Sequence, residues 1–174
     1  MDPWIAGVLV GDGTRHHGSN RAYAVWIDQH TRNSAVLDKI QNLLIANGFK
    51  VYRYKIPDNK YRVLTYSKAL YLEFESIMKN PVDFFSALPE SEKKDFIAGF
   101  FDAEGTKTDR IVIYNSDKPL LEAIQRFLSE IGIPGHIYRF GKIHGLQVYR
   151  KRHATLFLEQ INSVRLITSV NKHS

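Results

Sequence analysis

Apolar and polar positions follow two periods along the chain, and the same succession of periods occurs twice. Residues 3–12 (PWIAGVLVGD) and 96–105 (FIAGFFDAEG) are nearly continuous apolar runs that end in an acid beside glycine. Asp2-Pro3 reads as an N-cap followed by proline at the first helical position. Gly13 and Gly105 follow their runs where a left-handed residue would close a helix. Leu37, Ile40 and Leu44 recur at helical spacing, as do Leu120, Ile124, Phe127 and Leu128, and Gly48 and Gly132 stand at the ends of those segments. KVYRYKI (50–56) and RVLTY (62–66) alternate like half-buried strands around the turn PDNK (57–60).

The two successions are collinear. Ile5-Ala6-Gly7 lies on Ile97-Ala98-Gly99, and Asp12-Gly13 on Glu104-Gly105. AYAVWIDQ (22–29) lies on RIVIYN (110–115), which sets Gln29 on Asn115, and SAVLDKIQNLLIANGF (34–49) lies on PLLEAIQRFLSEIGI (119–133). KVYRY (50–54) lies on HIYRF (136–140), setting Arg53 on Arg139, and RVLTYSKALYLEF (62–74) on GLQVYRKRHATLFL (145–158). Each half reads helix, strand, helix, strand, strand, helix, with 14–21 (TRHHGSNR) as a longer loop in the first. The expected organisation is a repeat at 1–80, a connection at 81–95 with a new helix starting near Pro89, and a second repeat at 96–174.

Hydrophobic residues make up 44% of the chain, enough for a real core. No run of about 18 uncharged apolar residues predicts a membrane span. The opening MDPWIAGVLVGDG lacks a basic stretch and is a poor signal peptide. Absence of cysteine excludes disulfides, zinc-thiolate sites and cysteine nucleophiles, and fits an intracellular protein.

The formal net charge is +6, and its distribution is more informative than its size. Residues 50–68 hold Lys50, Arg53, Lys55, Lys60, Arg62 and Lys68 against Asp58 alone, and residues 136–152 hold Arg139, Lys142, Arg150, Lys151 and Arg152 with no acid. Each block is net +5, so the rest of the chain is net −4. Matched basic blocks point to a polyanionic partner.

The apolar runs carry small residues four apart, Gly7 and Gly11 in one, Gly99 and Ala103 in the other. Such stripes let two helix backbones approach closely. Packed about a pseudo-two-fold axis, the two helices would bring Asp12 and Glu104 together at their negative ends, an arrangement that calls for a cation. Two clustered hard oxygen ligands, with waters completing the shell, suit Mg²⁺, a cation suited to phosphodiester hydrolysis.

IAGVLVGDG and IAGFFDAEG resemble the two motifs of the single-chain LAGLIDADG homing endonucleases, and the resemblance covers nearly the whole chain. The compact length is similar to that of the archaeal intron-encoded members, which implies an archaeal cell or an organelle. The resemblance implies an α+β fold of two pseudo-symmetric αββαββα repeats, with saddle-shaped antiparallel sheets around paired motif helices. It implies a monomer that binds double-stranded DNA along the major groove and makes a staggered double-strand break. Asp12 and Glu104 would bind the metal, helped by the carbonyls of Gly11 and Ala103. Mn²⁺ would substitute for Mg²⁺, and Ca²⁺ would support binding without cleavage. Gln29 and Asn115 would orient water, and Lys107 would neutralise transition-state charge, with Arg15 at the equivalent spacing in the first repeat and His30 beside Gln29 as a further pocket residue. Asp102, at the sixth motif position where the first repeat has Val10, would make a structural contact.

For reading bases, Arg53 and Lys55 share one strand face, Arg62 and Tyr66 share another with Leu64, and Arg139, Gln147 and Tyr149 occupy the corresponding places in the second repeat. Lys50, Lys68, Lys142, Arg150, Lys151 and Arg152 are expected at phosphates. The unlike halves predict a long, imperfectly palindromic site. The rival reading on the same fold is a maturase bound to intron RNA.

Overall fold

Residues 1–18, 22–108 and 110–166 are described by the structure, a computed structural model. The first unit runs α1 (Pro3–Asp12), β1 (Gly13–His17), β2 (Tyr23–His30), a 3-10 turn (Thr31–Asn33), α2 (Ser34–Ala46), β3 (Val51–Ile56), β4 (Lys60–Tyr66) and α3 (Lys68–Lys79). A short helix, α4 (Pro81–Ala87), lies in the connecting segment. The second unit repeats the order as α5 (Glu90–Glu104), β5 (Gly105–Lys107), β6 (Ile111–Asn115), α6 (Lys118–Glu130), β7 (His136–Phe140), β8 (Ile143–Val148) and α7 (Lys151–Gln160). Each unit is αββαββα, built on an antiparallel four-stranded sheet in the order β1-β2-β4-β3 or β5-β6-β8-β7. No helix among the described residues is long and apolar enough to cross a membrane.

The strand after each motif helix was not legible in the residue pattern, and it changes the role of two glycines. Gly13 and Gly105 are extended, at φ −70° and −81°, rather than left-handed. The chain passes from helix directly into β1 or β5 at these points. A side-chain carbon at Gly13 would stand 2.4 Å from the Leu9 carbonyl oxygen, and one at Gly105 2.3 Å from the Phe101 ring. Glycine is required there for space. Gly48 and Gly132, at φ +82° and +83°, do end α2 and α6 in the left-handed conformation.

The core lies where α1 and α5 cross between the two sheets. Trp4 to Val10 and Phe96 to Asp102 are buried without a break, because each helix has its partner on one side and sheets and outer helices on the others. The small-residue stripes form the contact. A side-chain carbon at Gly7 would fall 2.1 Å from the Phe96 carbonyl oxygen, and one at Gly99 2.0 Å from that of Trp4. The two backbones therefore touch. Phe85, Phe96, Phe100, Phe101 and Phe157 fill the space around this axis.

Register assigns each strand residue to a face. In the first sheet Val25, Ile27, Arg53 and Val63 share the helix-covered face, together with Gln29 and Lys55, whereas Trp26, Asp28, Tyr52, Tyr54, Arg62 and Leu64 share the open one. In the second sheet Ile113, Ile137 and Leu146 lie under the helices, with Asn115 and Arg139 on that face. Since Gly13 pairs Ile27 and Gly105 pairs Ile113, the structural counterpart of Arg139 is Lys55, and that of Arg53 is Ile137. Matching the two Tyr-Arg dipeptides slipped the alignment by two residues, a slip that leaves every side chain on the same face.

Candidate active site

Backbone contact along α1 and α5 brings their last turns together. A side-chain carbon at Gly11 would lie 2.6 Å from the Ala103 Cβ and 3.0 Å from the Glu104 Cγ, so Asp12 and Glu104 are neighbours at one end of the paired helices. Both carboxyls are held above the ordinary carboxylate range. Burial pushes Asp12 up to about 6, against the pull of Arg165 and Lys60. Burial and then the negative charge of Asp12 push Glu104 up to about 7. The ionised pair is uncomfortable as it stands, which is what a cation site looks like from the protein side.

Each carboxylate has one amide partner, at matching positions of the two sheets. Gln29, buried at the end of β2, donates from Nε2 to Asp12 Oδ2, and its Oε1 accepts from Asn33 Nδ2 at 2.7 Å. Asn115, at the end of β6, donates from Nδ2 to Glu104 Oε1 at 3.4 Å, and its Oδ1 accepts from the Asp117 backbone N–H at 2.8 Å. The second bond of each amide fixes which way the first one points.

The other expected site residues are more spread out. Lys107 stands exposed on the edge strand β5, on the face that carries Gly105 and the end of α5. Arg15 occupies the equivalent place on β1 but is drawn to α3, 4.0 Å from Glu75 and over the Phe74 ring at 5.7 Å. His30 is on the open face opposite Lys60, where its Nδ1 accepts from the Arg32 backbone N–H at 3.2 Å and caps the 3-10 turn. No group of three or more His, Asp or Glu able to hold a metal occurs among the described residues. The carbonyls of Gly11 and Ala103 are the adjacent oxygens, and that of Ala103 accepts from Arg165 Nη1 at 3.3 Å.

Asp102 makes the structural contact expected of it. Fully buried, its carboxylate accepts from Trp4 Nε1 at 2.9 Å, Ser163 Oγ at 2.6 Å, and the backbone N–H groups of Val164 (3.0 Å) and Arg165 (2.9 Å). Arg165 was missed in the sequence because it lies outside both repeats' matched segments, and only the fold carries it to the helix ends.

The expectation that Arg53, Lys55 and Arg139 read bases from the open sheet face is corrected. Arg53 turns to α2, where Nη1 pairs with Asp38 and reaches Gln41 at 3.3 Å. Lys55 and Arg139 lie on that same helix-side face, and Arg139 Nε donates to the Gly141 carbonyl at 3.1 Å. The open face instead carries aromatic and polar groups. Arg62 is held there by two 2.7 Å bonds to Asp28 and lies 4.8 Å over the Trp26 ring. Tyr66 is exposed beside Tyr52, their ring centroids 6.0 Å apart. The second open face has Gln147 opposite Val112 and His136, with exposed Tyr149 just beyond the strand. Where the first sheet has Arg62 and Asp28, the second has Gly145 and Tyr114. Tyr138 fills the space over Gly145 and donates to the Tyr114 hydroxyl at 3.2 Å. Lys50, Lys68, Lys142, Arg150, Lys151 and Arg152 are all at the surface, Lys50 over Tyr52 and Lys68 over Tyr23.

Two αββαββα units are thus joined through glycine-striped helices that end in acids. The family model for the LAGLIDADG-like domain matches residues 91–162, and the chain is homologous to the single-chain homing endonuclease I-DmoI of the archaeon Desulfurococcus mucosus. The two are 27% identical over 160 residues, which span 85% of this chain and 79% of the relative. A crystal structure of I-DmoI with DNA and Mn superposes with a TM-score of 0.75 at 25% identity, covering 92% of this chain and 94% of that one. A second, with DNA and Ca, gives 0.78 at 24% identity over 99% and 97%. Full-length DUF199/WhiA from Thermatoga maritima shares the fold, with a TM-score of 0.71 at 14% identity, over 98% of this chain and 57% of that one.

Proposed function

We propose that this chain is a site-specific DNA endonuclease that makes a staggered double-strand break by metal-dependent phosphodiester hydrolysis. The observation that carries the reading is the matched pair of amide–carboxylate couples, Gln29 with Asp12 and Asn115 with Glu104, at the joined ends of α1 and α5. Homology to I-DmoI, whose structures include complexes with DNA and Mn or Ca and, for a point variant, with target DNA in the presence of Mg, supports the substrate class and the use of a divalent cation.

The donor set fits such a cation. Asp12 and Glu104 would hold it, with the Gly11 carbonyl and a shared Ala103 carbonyl as further oxygens. When bound, the ion supplies Lewis-acid chemistry at the phosphodiester. Gln29 and Asn115 hold the two carboxylates in fixed orientation. Lys107, beside the end of α5, neutralises charge that develops on the phosphate.

Binding is assigned to the two open sheet faces and the basic surface around them. Arg150, Lys151 and Arg152 crowd the N-terminal end of α7, with no capping side chain. Cations at the positive end of a helix repel it, and a backbone phosphate there relieves both. Arg62, Tyr66, Gln147 and Tyr149 are the base-facing candidates, whereas Arg53, Lys55 and Arg139 support the sheet from behind. Arg62 with Asp28 on one face, against Tyr138 with Tyr114 on the other, gives the two half-sites different chemistry. The target is therefore long and imperfectly palindromic, and the protein acts on it as a monomer. The decisive experiment is selection of cleaved sites from a randomised DNA library with Mg²⁺. A short perfect palindrome as the winner, or no cleavage at all, overturns the reading.

A further inference from the structure

The two halves of the catalytic centre differ in one respect that the repeat does not predict. At the sixth motif position the second repeat has Asp102 and the first has Val10, and Asp102 holds a docked chain segment, its carboxylate accepting from the Ser163 hydroxyl at 2.6 Å. The Asp102 carboxylate ties down Ser163, Val164 and the backbone of Arg165 from one side and Trp4 of α1 from the other. That grip sets the Arg165 side chain across the end of α5, where Nη1 donates to the carbonyls of Asp102 (3.2 Å) and Ala103 (3.3 Å). The guanidinium is close enough to both Asp12 and Glu104 to favour their ionised forms. A cation at a helix C-terminus is favourable in itself. Here it also occupies an oxygen adjacent to the acidic pair.

We propose that Arg165 is a positioning residue of the catalytic centre, a fixed positive charge held by Asp102 that competes with a divalent cation for the Ala103 carbonyl and the carboxylate pair. The inference rests on the metal assignment above and deepens it. Its consequence is a centre that binds metal less tightly than its two carboxylates alone would allow, with the charge felt by both acids and these hydrogen bonds made to the end of α5.

Manganese binding to the DNA-free 174-residue chain at pH 8, followed by electron paramagnetic resonance, tests this. Arg165→Gln is expected to take up Mn²⁺ at about tenfold lower concentration than the wild type, the size expected for losing one partly screened charge near a divalent ion. Arg165→Lys, which keeps the charge, is expected to follow the wild type, and Asp102→Asn, which loosens the grip, to fall between. Thermal melts establish that each variant is folded, and the lysine variant preserves the comparison if the glutamine variant is not. Superimposable curves for Arg165→Gln and wild type, with binding or without it, overturn the proposal. The double variant Asp12→Asn/Glu104→Gln separates the two levels: if it binds Mn²⁺ as the wild type does, the metal assignment itself has failed.

Discussion

Asp12 and Glu104, which come from opposite halves of the chain, meet because Gly7 and Gly99 let the helices that carry them touch backbone to backbone. Each acid raises a problem that neither half has alone. The first prediction tests that coupling. Asp12→Asn or Glu104→Gln should abolish double-strand cleavage and leave DNA affinity within a few-fold. Either variant cutting both strands at the wild-type rate refutes the assignment. In the absence of metal the same substitutions should stabilise the protein at pH 8, by about 1–2 kcal/mol once solvent screening is allowed for, as read by chemical denaturation.

The pH dependence follows from the same pair. Both folded-state values, about 6 for Asp12 and about 7 for Glu104, lie above those of the unfolded chain. Between roughly pH 4 and 7 the native state therefore binds more protons, and metal-free stability should fall as pH rises through that window and level off above it. Divalent metal binds the ionised carboxylates, so metal affinity and cleavage should rise over the upper part of the same window. Calorimetric titration of metal at pH 5.5 and pH 8 checks the sign, and equal affinity at the two contradicts it.

Space at the helix contact can be separated from backbone conformation. Gly7→Ala places a carbon 2.1 Å from the Phe96 carbonyl oxygen, so the helices must part, at a cost of more than about 3 kcal/mol. Gly48→Ala meets nothing within 4 Å and costs only the left-handed conformation, about 1 kcal/mol. Similar denaturation midpoints for the two would show that the backbones do not touch in solution.

Electrostatic and specific contacts should separate as well. Lys151→Ala and Arg152→Ala should weaken binding alike on every DNA sequence and reduce the slope of log affinity against log salt by about one each. Gln147→Ala should instead relax preference at one or two positions, worth about 1–3 kcal/mol against the best base. An unchanged salt slope in the first pair removes those residues from the phosphate surface.

How much of this was legible in the sequence depended on periodicity. The paired acids, the glycine stripes and the collinear helices are local signals that occur twice, so each copy supports the other. Gln29 and Asn115 could be placed because they end matched apolar strands. The short strands β1 and β5 could not, since GTRHH and GTK have no alternating apolar face; they exist because β2 and β6 offer them an edge. Faces were harder still. Alternation shows that Arg53 and Lys55 point the same way, but only the position of α2 decides which way that is. Arg165 has no counterpart in the first repeat, so comparing the halves could not reveal it.

The contacts at Gly7 and Gly99 are made with main chain of the opposite helix, which reads the same in any sequence that keeps the stripe. A half-molecule therefore carries its docking surface as a nearly sequence-independent plug, while the open sheet face is left to vary. Gene duplication followed by drift of one copy would preserve the hinge of the molecule and change only what it recognises. Arg62 with Asp28 on one open face, against Gly145 with Tyr114 on the other, is a difference of that kind. Halves exchanged between homologues with matching stripes should then dock as readily as the natural ones.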